Sequence, residues 1–182
     1  FKGTWLTGVL ARSGAEISGL SLDPPTSPSL FSQVGHRLRA DSMFDVRDLA
    51  KVEGAFLSAQ PEVVLHLAAQ SLVRHSYAAP QETFATNVMG TVNVLEAVQR
   101  CPSVRAVVVV TTDKVYGSSG DDRPFSEGHA LGGHDPYSAS KAAAELVTHS
   151  YRASFLAKQG VLVASARAGN VIGGGDYARD RL

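Results

Sequence analysis

One cysteine, Cys101, stands alone among the 182 residues, so no internal disulfide can form, and a reducing, cytoplasmic setting is expected. No run of about eighteen apolar residues occurs and no basic-then-apolar leader opens the sequence, so neither a membrane-spanning helix nor a secretory signal is read from it. The first residue is Phe1 rather than methionine, and the sequence is accordingly read as a segment that starts within a longer protein. An excess of positive charge is also missing: lysine plus arginine and aspartate plus glutamate number 17 each. Without a net positive field, nucleic acid and anionic membranes are poor candidate partners, and a small molecule is the better one. The histidines at 36, 66, 75, 129, 134 and 149 nowhere pair with acids or cysteine at zinc-ligand spacing, so metal-free chemistry is expected. Internal repeats, low-complexity tracts and long charge runs are absent, and a single domain over 1–182 is expected.

What is present alternates. Short, largely apolar runs occur at Ile17 to Leu22, Val63 to Leu67, Ala106 to Val110 and Val161 to Ala164. Such runs mark strands buried on both faces, as in a parallel sheet. Between them Thr4 to Ser13, Arg47 to Ala59, Gln81 to Arg100 and Tyr137 to Lys158 read as helices, with Gly14, Pro61, Pro102 and Gly160 placed to end them. Alternating strands and helices imply right-handed crossovers and an α/β doubly wound parallel sheet of Rossmann type. A helix opens the order with no strand before it, so the first strand of that fold is expected to be missing. Ligands of such sheets bind beyond the carboxyl ends of the strands, where chemistry is therefore sought.

Asp23 follows the first of these strands and is followed by Pro24 and Pro25. Its carboxylate suits both hydroxyls of an adenosine ribose, which favours NAD over NADP; a solvated turn is the plain alternative. About twenty residues earlier, Phe1-Lys2-Gly3 has the form of the tail of a glycine-rich pyrophosphate loop at the mouth of a helix. Asp45, ahead of Val46, suits an adenine amino group or, alternatively, a helix N-cap. Leu67-Ala68-Ala69-Gln70 supplies small residues that let a cofactor approach the backbone, while His66 reads as a core histidine rather than a ligand. Thr111-Thr112-Asp113-Lys114 crowds exchangeable protons at one strand end, either for chemistry or as an ordinary solvated turn. Further on, Tyr137 and Lys141 stand at i and i+4 on one helix face, where an ammonium favours the phenolate and makes the tyrosine a candidate base. Arg167 to Asp176 is glycine-rich and reads as a loop or a pocket wall.

Taken together, Phe1-Lys2-Gly3, Asp23-Pro24-Pro25, His66-Leu67-Ala68-Ala69-Gln70, Thr86-Asn87, Thr111-Thr112-Asp113-Lys114, Asp135-Pro136-Tyr137-Ser138-Ala139-Ser140-Lys141 and Arg167 to Asp176 resemble the extended short-chain dehydrogenase/reductase family of NAD-dependent nucleotide-sugar epimerases and dehydratases. The likeness is nearest to its 4,6-dehydratase branch acting on CDP-glucose, through Lys2, Asp-Pro-Pro and Lys114; the dTDP-glucose and GDP-mannose dehydratases resemble one another in having glutamate at the last position. The resemblance implies that Tyr137, kept ionised by Lys141, takes the C4 hydroxyl proton as hydride passes to NAD. Thr112 would bind the C4 oxygen, Lys114 or a group it positions would remove the C5 proton, and Asp113 would protonate the departing C6 hydroxyl. To act as a base Lys114 must be neutral. By the same likeness Gln70, Thr112 and Asn170 contact substrate. Phe1, Lys2, Gly3, Asp23, Asp45, Val46, Leu67, Ala68, Ala69, Gln70, Asn87, Thr111, Tyr137 and Lys141 contact cofactor.

The resemblance further implies a homodimer or homotetramer when complete, and a place in deoxysugar and polysaccharide biosynthesis. Because the earlier loop glycines are absent and the sequence stops at Leu182, a C-terminal substrate-binding region with most of the nucleotide pocket is expected to lie outside it, and this segment alone is not expected to turn over substrate. Two rival readings are a 4-epimerase, which needs Tyr137 and Lys141 but not Asp113 with Lys114, and a non-catalytic NAD-binding module, which usually lacks the tyrosine or the lysine.

Overall fold

The computed structural model describes residues 1–34, 38–117 and 124–179; His36 and the 118–123 part of the polar connection before Asp135 lie outside the described residues. The chain forms two compact units, Phe1–Asp45 with Asn170–Leu182, and Val46–Gly169.

In the first unit, α1 (Lys2–Arg12) leads to β1 (Ser18–Ser21), the short α2 (Phe31–Val34) and β2 (Ala40–Met43). Gly14, at φ 84°, takes the left-handed conformation just past α1, a cheap way for the chain to leave a helix. β1 and β2 pair in parallel, Ser18 opposite Ala40 through Ser21 opposite Met43. β2 carries no apolar run, its side chains are largely exposed, and it is held by its backbone ladder to β1 rather than by burial. Trp5 Nε1 donates to the Gly174 carbonyl at 2.9 Å, which ties α1 to the glycine-rich segment. Gly175 sits at φ 86° with no room for a Cβ, which would lie 2.9 Å from Leu30 Cβ.

The second unit contains the parallel sheet β3 (Val63–His66), β4 (Ala106–Thr112) and β5 (Leu162–Ala168), in that order. Val63 lies opposite Ala106 and His66 opposite Val109, while Ala106 to Thr112 face Leu162 to Ala168. The β3–β4 crossover carries α4 (Val73–Ala78), α5 (Pro80–Phe84), a π-helical turn (Ala85–Met89) and α6 (Gly90–Arg100); the β4–β5 crossover carries α7 (Pro136–Ser154). Before β3, α3 (Leu49–Ala59) starts on Asp48, whose carboxylate accepts the Lys51 amide, and ends at Gln60 in the left-handed conformation ahead of Pro61. The N-cap role weighed for Asp45 therefore belongs to Asp48.

The core of this unit is made by Val94, Leu95, Ala97 and Val98 of α6, Val107 and Val109 of β4, and Ala142 and Ala144 of α7. The expectation of strands buried on both faces needs correcting. Residues 107, 109 and 111 of β4 are buried while 106, 108 and 110 are partly exposed, and β5 is an edge strand with Leu162 73% exposed. The expected single helix from Gln81 to Arg100 is interrupted by the π turn. The expected helix to Lys158 ends at Ser154, followed by a 3-10 turn (Leu156–Gln159) that closes on Gly160 at φ 77°.

Candidate active site

β4 ends in Thr111-Thr112 and turns directly into a 3-10 turn, Asp113–Val115. Thr112 caps that turn, accepting the Lys114 amide at 3.4 Å, and its hydroxyl donates to Asp113 Oδ1 at 3.0 Å. Thr112 is buried while Asp113 and Lys114 are exposed at the carboxyl end of the sheet, so their polar ends face outward from a fixed base. Asp113 also borders the end of β5: a Cβ on Gly169 would stand 3.5 Å from its Oδ2.

α7 brings the second half of the site. Asp135 is its N-cap, accepting the Ser138 amide at 3.0 Å and the Ser138 hydroxyl at 2.6 Å, and Pro136 occupies the first helical position. Burial works against the Asp135 carboxylate, but the Ser138 bonds and the neighbouring Lys114 ammonium outweigh it and hold its pKa below the ordinary value. Gly133 has no room for a Cβ, which would fall 2.3 Å from Ser138 Cβ and 2.4 Å from its carbonyl carbon, so the loop lies directly against the first turn that carries Tyr137. Lys141, 5% exposed, donates from Nζ to the Val110 carbonyl at 2.8 Å. That bond fixes a buried ammonium between α7 and β4 on the helix face it shares with Tyr137.

Asn87 sits in the π turn, a local widening of the helix common at functional sites. Its Oδ1 accepts the Gln70 amide at 2.8 Å, and its Nδ2 donates to the Gln70 carbonyl at 2.9 Å and to Ser140 Oγ at 2.8 Å. Ser140 Oγ in turn donates to the Tyr137 carbonyl at 2.7 Å. Asn87 thus supports the tyrosine's turn through Ser140. Gln70 is engaged within the unit: its Nε2 donates to Thr83 Oγ1 and the Leu72 carbonyl, and its Oε1 accepts the Leu72 amide. Its side chain braces the loop after β3. The Thr111 hydroxyl likewise donates to Glu145 Oε1 inside the unit.

His66 is a core histidine, as expected. Thr91 Oγ1 donates to the Asn87 carbonyl at 2.7 Å, so its single proton is committed and it accepts from His66 Nε2–H at 3.0 Å. Burial first, then the Lys141 ammonium, push the His66 pKa down to about 3. Three residues that the sequence reading missed complete the site's frame: Ser140, Glu145 and Arg167. Glu145 follows Lys141 by four positions, as Lys141 follows Tyr137, a spacing that places all three on one helix face.

In the first unit, Phe1 is the N-cap of α1 without a side-chain hydrogen bond, and the first turn holds no acidic residue. A helix start without an acidic residue suits a pyrophosphate, whose charge favours the positive end of the helix dipole. Asp23 is exposed just past β1, a position that fits a ribose; Asp45 is partly buried and Asn170 exposed. In the second unit Val46 is buried, while Leu67, Ala68 and Ala69 are partly buried past β3, where small side chains leave the backbone approachable. No group of three His, Cys, Asp or Glu that could hold a metal ion occurs among the described residues. Nor is any described helix long and apolar enough to cross a membrane.

Comparison with known proteins extends this geometry. The family model described as GDP-mannose 4,6 dehydratase matches residues 1–171. The chain belongs to the GDP-mannose 4,6-dehydratase family. Within that family and its surroundings, it is 47% identical over its whole length to the CDP-glucose 4,6-dehydratase of Salmonella typhimurium, of which it covers 52%. The fold matches solved structures with NAD. One is the dTDP-glucose 4,6-dehydratase of Streptomyces venezuelae, with TM-score 0.83, 27% identity, and 95% of this chain and 54% of that one covered. Another is the UDP-glucose 4-epimerase of Thermus thermophilus, with TM-score 0.83, 30% identity, and 95% and 53% covered. This member of the GDP-mannose 4,6-dehydratase family therefore has the parallel-sheet, Rossmann-like α/β fold, and spans about half the length of these relatives.

Proposed function

We propose that the full-length protein is an NAD-dependent CDP-glucose 4,6-dehydratase that yields CDP-4-keto-6-deoxyglucose. The observation that carries this reading is the meeting of two elements at the carboxyl end of one sheet: the Thr112-Asp113-Lys114 turn, and the α7 face with Tyr137 and buried Lys141. An epimerase would use only the second of these. The choice of cytidine diphosphate rests on the 47% identity to the Salmonella enzyme and on Lys114, for which the dTDP-glucose and GDP-mannose enzymes resemble one another in having glutamate.

NAD, when bound, would supply the reversible hydride acceptor needed for oxidation at C4 and reduction at C6, with no net change of the cofactor. In the second unit Val46, the Leu67-Ala68-Ala69 backbone, Asn87, Thr111, Tyr137 and Lys141 would hold it. Tyr137 removes the proton of the C4 hydroxyl, and the Lys141 ammonium stabilises the phenolate that this role needs. Thr112 donates to the C4 oxygen. Once C4 is a ketone the C5 proton is acidic, and Lys114 in its neutral form, or a group it positions, accepts it and returns a proton to C5 when hydride reaches C6. Asp113 delivers a proton to the C6 oxygen, so that water leaves. Asn170 contacts the sugar nucleotide.

Nucleotide preference provides the test. The full-length protein offered CDP-glucose, dTDP-glucose, UDP-glucose and GDP-mannose should show kcat/KM for CDP-glucose higher on the order of 100-fold or more, since a pocket that hydrogen-bonds one base leaves buried polar groups unpaired with another. Equal or better turnover of dTDP-glucose or GDP-mannose would overturn the cytidine assignment and leave the dehydratase standing.

A further inference from the structure

We propose that Glu145 and Arg167 are positioning residues that clamp both flanks of the Thr112–Lys114 turn and hold it in register with Tyr137 and Lys141, an inference that rests on the dehydratase reading. Glu145 lies on α7 and is 6% exposed. Its carboxylate is fully engaged: Oε1 accepts from Thr111 Oγ1 and from Arg167 Nε at 3.0 Å, while Oε2 accepts from Ser165 Oγ at 2.7 Å and Arg167 Nη2 at 3.0 Å. The two Arg167 bonds form the planar fork that only arginine offers a carboxylate. The other side of that guanidinium reaches the far flank of the turn, with Nη1 donating to the Tyr116 hydroxyl at 3.1 Å and to the Glu127 carbonyl at 3.3 Å. It also lies 5.0 Å from the Tyr116 ring centroid.

One ion pair therefore grips Thr111, the residue before the turn, and Tyr116, the second residue after it. It does so from the helix that carries Tyr137 and Lys141 and from the strand whose end borders Asp113. Packing alone does not require charge here, because a buried ion pair can commonly be replaced by apolar side chains of similar volume without loss of stability. What apolar side chains cannot reproduce is directional bonding to a hydroxyl on each flank. Misplacing a reacting group by about 1 Å costs on the order of 100-fold in rate. The acid and base on the turn, with Thr112 beside them, and not the base on α7, are the groups this clamp governs.

The test uses the full-length protein with two changes, Glu145→Gln and the double replacement Glu145→Met with Arg167→Met. Hydrogen–deuterium exchange should rise about tenfold or more in residues 112–117 of both variants. In the double variant, α7 protection and thermal midpoint should stay near wild type. With CDP-glucose, elimination of water should then fall about 10- to 100-fold more than C4 oxidation, read as transient reduced nicotinamide. A purely structural pair would lower both partial reactions together, or would let the double variant recover elimination with stability; either result overturns the clamp, as does wild-type exchange at 112–117. A wild-type protein that acts on no nucleotide hexose would defeat the functional reading, and with it the catalytic part of the proposal. The exchange result judges the clamp itself separately.

Discussion

Replacement of Tyr137 by phenylalanine in the full-length protein should lower turnover of CDP-glucose about 1,000-fold or more while leaving the thermal midpoint close to wild type. Loss of a positioned acid–base group costs roughly 100- to 10,000-fold. In the proposed reaction that group acts first, so nothing downstream can compensate. The substitution removes one oxygen from a partly buried side chain at the start of α7, while the Asp135 cap and the bond of Ser140 to the Tyr137 carbonyl are untouched. Lys141 would be a less clean target. Its removal takes the Nζ bond from the Val110 carbonyl and leaves a buried position short of its side chain, so activity and stability would fall together. Absence of the reduced-nicotinamide transient in Tyr137→Phe, with unchanged circular dichroism, is the expected outcome. Turnover near wild type would remove Tyr137 from the role of base.

Stability should fall by about 2 kcal/mol between pH 7 and pH 5 on account of His66 alone. Its pKa in the fold is pushed down from 6.5 to about 3, by burial and then by the Lys141 ammonium. The folded protein thus keeps the ring neutral where the unfolded chain binds a proton. A depressed value gives stability that is fully present above about pH 6.5 and is lost as pH falls toward 3. Asp135 and Glu145, both held below ordinary carboxylate values against the opposing effect of burial, add their losses only at lower pH, below about 4.5. The two windows can therefore be separated. Urea unfolding at pH 7 and pH 5 should show the drop in wild type and lose most of it in His66→Gln, whose amide can still donate to Thr91. An equal drop in both proteins would mean that some other group titrates there.

The sequence carries the elements that depend on burial more plainly than those that depend on tertiary hydrogen bonds. β3, β4 and the start of β5 fall on apolar runs, whereas Ser18-Gly19-Leu20-Ser21 of β1 has only Leu20 and Ala40-Asp41-Ser42-Met43 has no such run and forms β2 on the parallel ladder that β1 offers. The π turn leaves no mark in apolar periodicity; it widens the helix where Asn87 reaches Gln70 and Ser140, a constraint set by residues distant in sequence. Tyr137 and Lys141 are legible from their spacing and from the family resemblance. Glu145 offers the same spacing one turn further along, but a single acid on an alanine-rich helix looks like a solvated face until its partner Arg167, on another strand, is known. Gln70 and Thr111 follow the carboxyl ends of strands, and the hydrogen bonds that engage their side chains, to Thr83 and Glu145, join residues too distant in sequence to be read from it.

If the Thr112–Lys114 turn and the Tyr137–Lys141 face together perform oxidation and elimination on one sugar, that sugar must lose water and exchange its C5 proton with solvent. Incubation of the full-length protein with CDP-glucose in deuterated water, followed by mass spectrometry of the sugar, tests this directly. Loss of one water and gain of one deuterium at C5 is the expected result. An unchanged sugar skeleton with inversion at C4 would instead make the protein an epimerase and leave Asp113 and Lys114 without the roles assigned to them.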